Sequence, residues 1–332
     1  MKIPAWKTMY WLVKREFWEH RGGFFWAPLI SGGVFLVLNV MALITGEVLG
    51  GHNAHFNTVG GINFGGHPGG INLNGTVDAD MLGKIGTGLD IAMYVVAGIV
   101  LMIMAVIVFF YCLGSLYDDR RDRSILFWKS LPISNRATVL SKVISATVVA
   151  PTIACVFGTL AGLLLLLLAA FTASLHGLNM WQLLMNSHPL AVAFNLITLI
   201  PLYVIWALPT VGWLMFCSAW SRSKPFLWAL LAPLAAGVIV SWFGLMGLFD
   251  LGAGWFWKNI VLRMLLSVVP GGWIRDAAPV ANEPSDPSIV LNHIGLAHNY
   301  AVLASPDLWI GALAGVALIT AAVWLRRWRD DS

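Results

Sequence analysis

The chain has 332 residues, 58% of them hydrophobic and only 11% charged, with a mean hydropathy of +0.78 and a net charge of +4. Soluble domains are typically about 45–50% apolar, so this composition excludes an ordinary soluble protein and points to a bilayer. The small positive balance is what membrane topology produces and gives no ground for a nucleic-acid partner.

Residues 5–21, AWKTMYWLVKREFWEHR, come first. At helical spacing Trp6, Met9, Tyr10, Val13 and Phe17 share one face, while Lys7, Lys14, Arg15 and Arg21 lie toward the other. This predicts an interfacial helix with Trp11 and Trp18 at headgroup level, and Gly22 and Gly23 predict a break after it. The first apolar run, 24–45, is too long for a signal-peptide core and no small-residue cleavage site follows it, so it is expected to be a retained span.

Residues 46–88 are rich in Gly and Asn and predict an irregular outer flap. His52, His55 and His67 are imidazole donors within it, but no Cys or carboxylate stands at a familiar ligand spacing, so no metal site is expected. The motif MLGKIGTG lacks the earlier glycine of a P-loop, and the chain is not expected to bind ATP by itself.

Further apolar runs occupy 89–116, 143–172, 189–220, 225–249 and 308–325, giving six spans in all. Between the fifth and sixth, 250–307 is an outer segment. Its first half is apolar but too short to cross, which predicts short helices that re-enter the membrane or lie on it. Cys112, Cys155 and Cys217 all fall within spans and read as packing residues.

Of the 20 Lys and Arg residues, 16 fall before span one, between spans two and three, between spans four and five, or after span six. The positive-inside rule then places both termini in the cytoplasm. The central portions of the spans contain no Asp, Glu, Lys, Arg or His, which argues against an ion-coupled carrier, an intramembrane aspartyl or metallo-protease and a multi-haem cytochrome. Gly158xxxGly162 and Gly311xxxGly315 permit close helix approach without locating a dimer seam. A competing reading is a membrane-embedded lipid-modifying enzyme using outer residues such as His52, His67, Asp78 and Asp80; another is a non-transporting membrane anchor of an ATPase complex.

The charge is concentrated in YDDRRDRSILFWKSLP, residues 117–132, directly after span two. Three Asp residues open this stretch and Lys129 stands near its end, the favourable sense for a helix dipole. Asp119 and Arg123 are spaced for an i,i+4 pair, worth only about 0.3–0.5 kcal/mol when exposed. Phe127 and Trp128 set bulky apolar groups beside the charges, Pro132 interrupts the helix, and Ser134 can cap the next one. A charged collar with aromatic anchors suits docking to another protein, and equally suits a topology signal with its aromatics in the lipid interface.

The stretch LYDDRRDRSILFWKSLPISNRATVLSK, 116–142, resembles the cytoplasmic segment of bacterial ABC-transporter permeases of the type 2 export family. The resemblance implies an all-α polytopic membrane protein of six spans in the bacterial plasma (inner) membrane, with an interfacial N-terminal helix and short outer helices between spans five and six. It also implies a coupling helix at 117–132 that docks on a separate cytoplasmic ABC ATPase, present in two copies, while two permease chains pair as a homodimer or with a similar chain. ATP and Mg would belong to the ATPase, and this chain would need no cofactor of its own. Arg120, Arg121, Asp122, Arg123, Phe127, Trp128 and Lys129 are the expected coupling contacts, with the interfacial helix as a second. The cargo implied is lipid-like, drug-like or peptide, moved outward through a bundle in contact with membrane lipids.

Overall fold

A computed structural model describes residues 5–50, 79–122, 133–175, 179–247, 252–274, 291 and 294–328. All regular structure among them is helical. Six helical stretches are long and apolar enough to cross a membrane: Gly22–Thr45, Gly83–Arg121, Asn135–Leu175, Leu184–Trp220, Pro225–Leu245 and Pro306–Trp328. This is the expected polytopic all-α architecture. His52, His55, His67 and Asp78 of the flap lie outside the described residues.

The N-terminal helix, Ala5–Glu19, runs into span one through a π-helical turn at Gly22–Trp26. The predicted break at Gly22 and Gly23 is therefore a widened turn, closed by the Ala27 N–H donating to the Gly22 carbonyl, and the N–H groups of Gly23 and Phe24 ahead of it both donate to the His20 carbonyl at 3.0 Å. A Cβ on Gly23 would stand 2.8 Å from Ile107 of span two. Span one thus comes close to span two where Phe24 is buried against Tyr111, ring centroids 5.0 Å apart.

The second helix begins at Ala79, well before the apolar run. Its glycines and Lys84 resemble loop chemistry, but Gly86 is the residue that lets it touch the backbone of Asn186, where a Cβ would meet the carbonyl oxygen at 2.2 Å. Span three carries a π-turn at Ser145–Val149 just ahead of Pro151. That widening gives the proline ring room where a regular turn would clash. Span four is interrupted at Leu199, between Pro189–Thr198 and Ile200–Trp220, because Pro201 suits the first turn of a new helix.

The small-residue spacings seat helices within the chain. A Cβ on Gly158 would lie 2.9 Å from Ala97 Cα, and one on Gly162 would lie 3.3 Å from Met93, so this pair holds span three on span two. Gly315 of span six faces the Leu208 carbonyl carbon of span four at 2.4 Å by the same measure, and Gly212 faces the Gly315 oxygen at 2.5 Å. Backbones that approach this closely gain van der Waals contact that lipid does not otherwise provide. The core between these seams includes Val100, Met104, Leu202, Leu214 and Met215, all buried. Spans one and five lie at the margin and leave apolar faces exposed, for example Val34, Leu38 and Met41 on the first and Leu231, Val238 and Trp242 on the fifth.

Between spans five and six, helical turns at Ala253–Phe256, Trp257–Val261 and Leu262–Leu266 wedge against the bundle. The Thr210 hydroxyl donates to the Arg263 carbonyl and accepts from the Ser267 N–H, each at 2.9 Å, while the Tyr203 hydroxyl donates to the Val268 carbonyl at 2.9 Å. Thr210 is roughly 15 Å by helical rise from either end of Ile200–Trp220. The segment therefore reaches the middle of a span, and its irregular backbone is satisfied by side chains, as water-poor surroundings require. Arg263 is buried with its guanidinium 4.1 Å above the Trp206 ring, a cation–π contact that keeps the charge on an aromatic face.

Candidate functional site

At the end of the bundle where both described termini meet, span two runs into a short helix, Tyr117–Arg121, which ends in a turn at Asp122. The last turn of span four leaves helix-end carbonyls to satisfy, and this short helix supplies the donors. Arg120 Nη2 donates to the Ser218 carbonyl at 2.5 Å and to the Ser221 carbonyl at 3.1 Å, while its Nε reaches the Leu116 carbonyl at 3.4 Å. A guanidinium is well matched to the negative end of a helix. In return, the Ser218 hydroxyl accepts the N–H groups of Leu116 and Tyr117 at 3.1 and 2.9 Å. The segment is thus fastened to span four on both of its sides.

Its other anchor is ionic. Asp119 lies 3.6 Å from Lys142 Nζ at the start of span three and 3.4 Å from Arg326 at the end of span six. Lys142 in turn lies 3.2 Å from Glu16 of the N-terminal helix. Glu16 also accepts the Tyr111 hydroxyl at 2.9 Å and pairs with Arg15 at 2.6 Å. Glu16, Lys142 and Arg326 have side-chain exposures of 0%, 2% and 5%, so these ions are taken out of water and must be matched to one another. Burial alone would push the Glu16 carboxyl up, but Lys142 and Arg15, with the Arg15 and Tyr111 hydrogen bonds, outweigh it and hold it below its ordinary 4.5. Glu16, Glu19 and His20 converge closely enough to hold a cation, yet Glu16 is committed to the network and Glu19 pairs with Arg15 at 3.3 Å.

The face that the N-terminal helix turns to the protein is the one bearing Leu12 and Glu16. The stripe read from the helical wheel is split: Phe17 packs against the core, whereas Trp6 and Tyr10 are exposed. Asp119 makes its contacts with spans three and six, and the predicted pair with Arg123 falls outside the described residues. Ser134 does cap the following helix, its hydroxyl accepting the Ala137 N–H at 3.2 Å.

Of the expected coupling contacts, Arg120 is half-buried and faces span four, whereas Arg121 and Asp122 are exposed, with a loose 3.8 Å pair between them. Arg123, Phe127, Trp128 and Lys129 lie outside the described residues. Sequence reasoning missed Glu16, Tyr111, Asp119, Lys142, Ser218 and Arg326 as a group. The signal available was the i,i+4 file Leu12, Glu16, His20 and Phe24, which places a carboxylate on an otherwise uncharged helix face.

Residues 88–220 match the family model described as ABC-2 family transporter protein. That region is similar to the membrane domain of ABC-2 transporters, which supports an ABC-2 type permease. The matched region takes in spans two, three and four together with the 117–132 segment, that is, the site and three of the helices that anchor it. No curated protein and no solved structure matches the chain. With its six helices long and apolar enough to cross a membrane, the chain is a multi-pass membrane protein, and the match suggests a transporter subunit.

Proposed function

We infer that this permease is the membrane half of an ATP-driven exporter, and that residues 117–132 receive the movement of a separate cytoplasmic ATPase. The observation that carries this reading is the anchoring of Asp119 and Arg120. Through them one short segment is tied to spans three, four and six, and through Lys142 to the N-terminal helix. A displacement of that segment would be delivered to four helices at once. Nucleotide binding in the partner changes the permease only insofar as it favours one bundle state over another.

In this account Arg121, Asp122, Arg123, Phe127, Trp128 and Lys129 contact the ATPase, while Arg120 holds the segment on span four. Two ATPase subunits act on two permease chains, alike or similar, in a bacterial inner membrane, with the termini cytoplasmic. ATP and Mg are held by the ATPase. The uncharged central portions of the spans favour lipid-like, drug-like or peptide cargo over small ions.

The test is co-purification of the permease with a P-loop ATPase, followed by Phe127→Ala/Trp128→Ala in protein shown to be correctly inserted. The reading predicts loss of ATPase retention and of vesicle transport. Retention and transport at wild-type levels would remove the proposed docking role.

A further inference from the structure

The N-terminal helix has a second face that the ionic network does not use. Trp6, Lys7, Trp11, Lys14, Trp18 and Arg21 are all exposed along it. The Lys14 ammonium lies 4.9 Å from the Trp11 ring and the Lys7 ammonium 5.5 Å from the Trp6 ring. The acids of this helix are Glu16, buried on the opposite side, and Glu19, paired with Arg15. The exposed face is therefore cationic and aromatic. Exposed tryptophans continue at the same end of the bundle at Trp220, Trp228, Trp324 and Trp328, as a membrane-interface belt requires. Of the tryptophans exposed at the opposite end, Trp181, Trp242 and Trp309 have no Lys or Arg within three positions and Trp255 has Lys258, whereas Trp6, Trp11 and Trp18 each have at least one.

We propose that this face is a binding surface for anionic glycerophospholipid headgroups, with the indole rings seated at headgroup level and Lys7, Lys14 and Arg21 on the phosphates. Amphipathic rings settle at that depth, long basic side chains reach outward from it, and each basic residue near an anionic surface adds to the attraction. The helix then has a lipid contact on one side and Glu16 on the other, so leaflet charge acts on the same joint that holds the 117–122 segment. The lipid binding itself does not depend on an ATPase.

The experiment is native mass spectrometry of the full chain, released from micelles containing equal phosphatidylglycerol and phosphatidylcholine, with the thermal midpoint measured against each lipid. Wild type should retain phosphatidylglycerol with about tenfold or greater preference, and its midpoint should rise with that lipid more than with phosphatidylcholine. Lys7→Gln/Lys14→Gln/Arg21→Gln should bring the preference near parity while keeping the wild-type midpoint in phosphatidylcholine. Lys7→Arg/Lys14→Arg should retain the preference, and Arg222→Gln/Arg327→Gln should keep most of it. Equal retention of the two lipids by wild type, or an undiminished preference in the triple variant, overturns the proposal. So does a triple variant that releases a bound ATPase yet still selects phosphatidylglycerol, since the face would then dock protein.

Discussion

The two ends of the bundle solve one problem with opposite chemistry. At the end carrying the termini, Glu16, Lys142, Asp119 and Arg326 join helices by buried charge. At the other, the backbone of the wedge between spans five and six is held by neutral hydrogen bonds from Tyr203, Thr210 and Ser267, the Trp273 indole donates to Asn299 at 2.5 Å, and the buried Arg263 charge rests on the Trp206 ring. Neutral bonds between side chains and backbone satisfy irregular chain where no water is available, and they fix one geometry. Ion pairs keep attraction over a wider range of separations, but each partner depends on the other remaining charged and in place. The first kind suits a plug, and the second suits a joint that moves without coming apart.

The contrast breaks most sharply at the charges. Glu16→Ala or Lys142→Ala leaves an uncompensated buried ion and should lower stability by about 3–5 kcal/mol, whereas Glu16→Leu with Lys142→Met should recover most of the loss. Thermal unfolding in micelles reads both. Next comes the span four to span six seam. Gly315→Val places a side chain against the Leu208 backbone and should cost about 1–3 kcal/mol or separate the two helices, visible as a lower midpoint.

At the neutral end, Thr210→Val removes the partner of the Ser267 N–H and one donor to the Arg263 carbonyl, for a loss of about 1–3 kcal/mol. Unlike the losses at the ionic end, this one should not change with pH. Because the Glu16 carboxyl is held below its ordinary value, its contribution is complete above pH 4.5 and fades as pH falls through the lower value it has in the fold. The stability gap between wild type and Glu16→Gln should thus be flat through neutral pH and close only in that acid range. The smallest effect belongs to the exposed surface: Arg121→Gln should change stability by less than about 0.5 kcal/mol while weakening ATPase retention.

How much of this could be read in the sequence depends on the range of the interaction. The six spans were legible because a span is a local property, a run of apolar residues long enough to cross. The Ser134 cap was legible for the same reason, since donor and acceptor lie three residues apart. Glu16 was not, because among Lys14, Arg15 and Glu19 it looks like part of a solvated face, and its partners Tyr111 and Lys142 are 95 and 126 residues away. Asp119 shows the same limit. Its spacing offered only the local Arg123, whereas its contact with Arg326 spans 207 residues. Lys142 and Arg326 were read as topology signals, and nothing in a single sequence distinguishes a basic residue that only orients a span from one that also enters a buried pair. The early start of the second helix was hidden because Gly86 serves close packing on Asn186 rather than a turn.

The central claim is that segment 117–122 passes motion to the bundle through Asp119, Lys142 and Glu16. The most direct test uses Glu16→Leu/Lys142→Met in the complex reconstituted with its ATPase, measuring ATP hydrolysis and vesicle flux together. The account predicts that the ATPase stays bound and hydrolyses ATP while flux per ATP falls severalfold. Flux per ATP equal to wild type, in a variant that is folded and inserted, would contradict it.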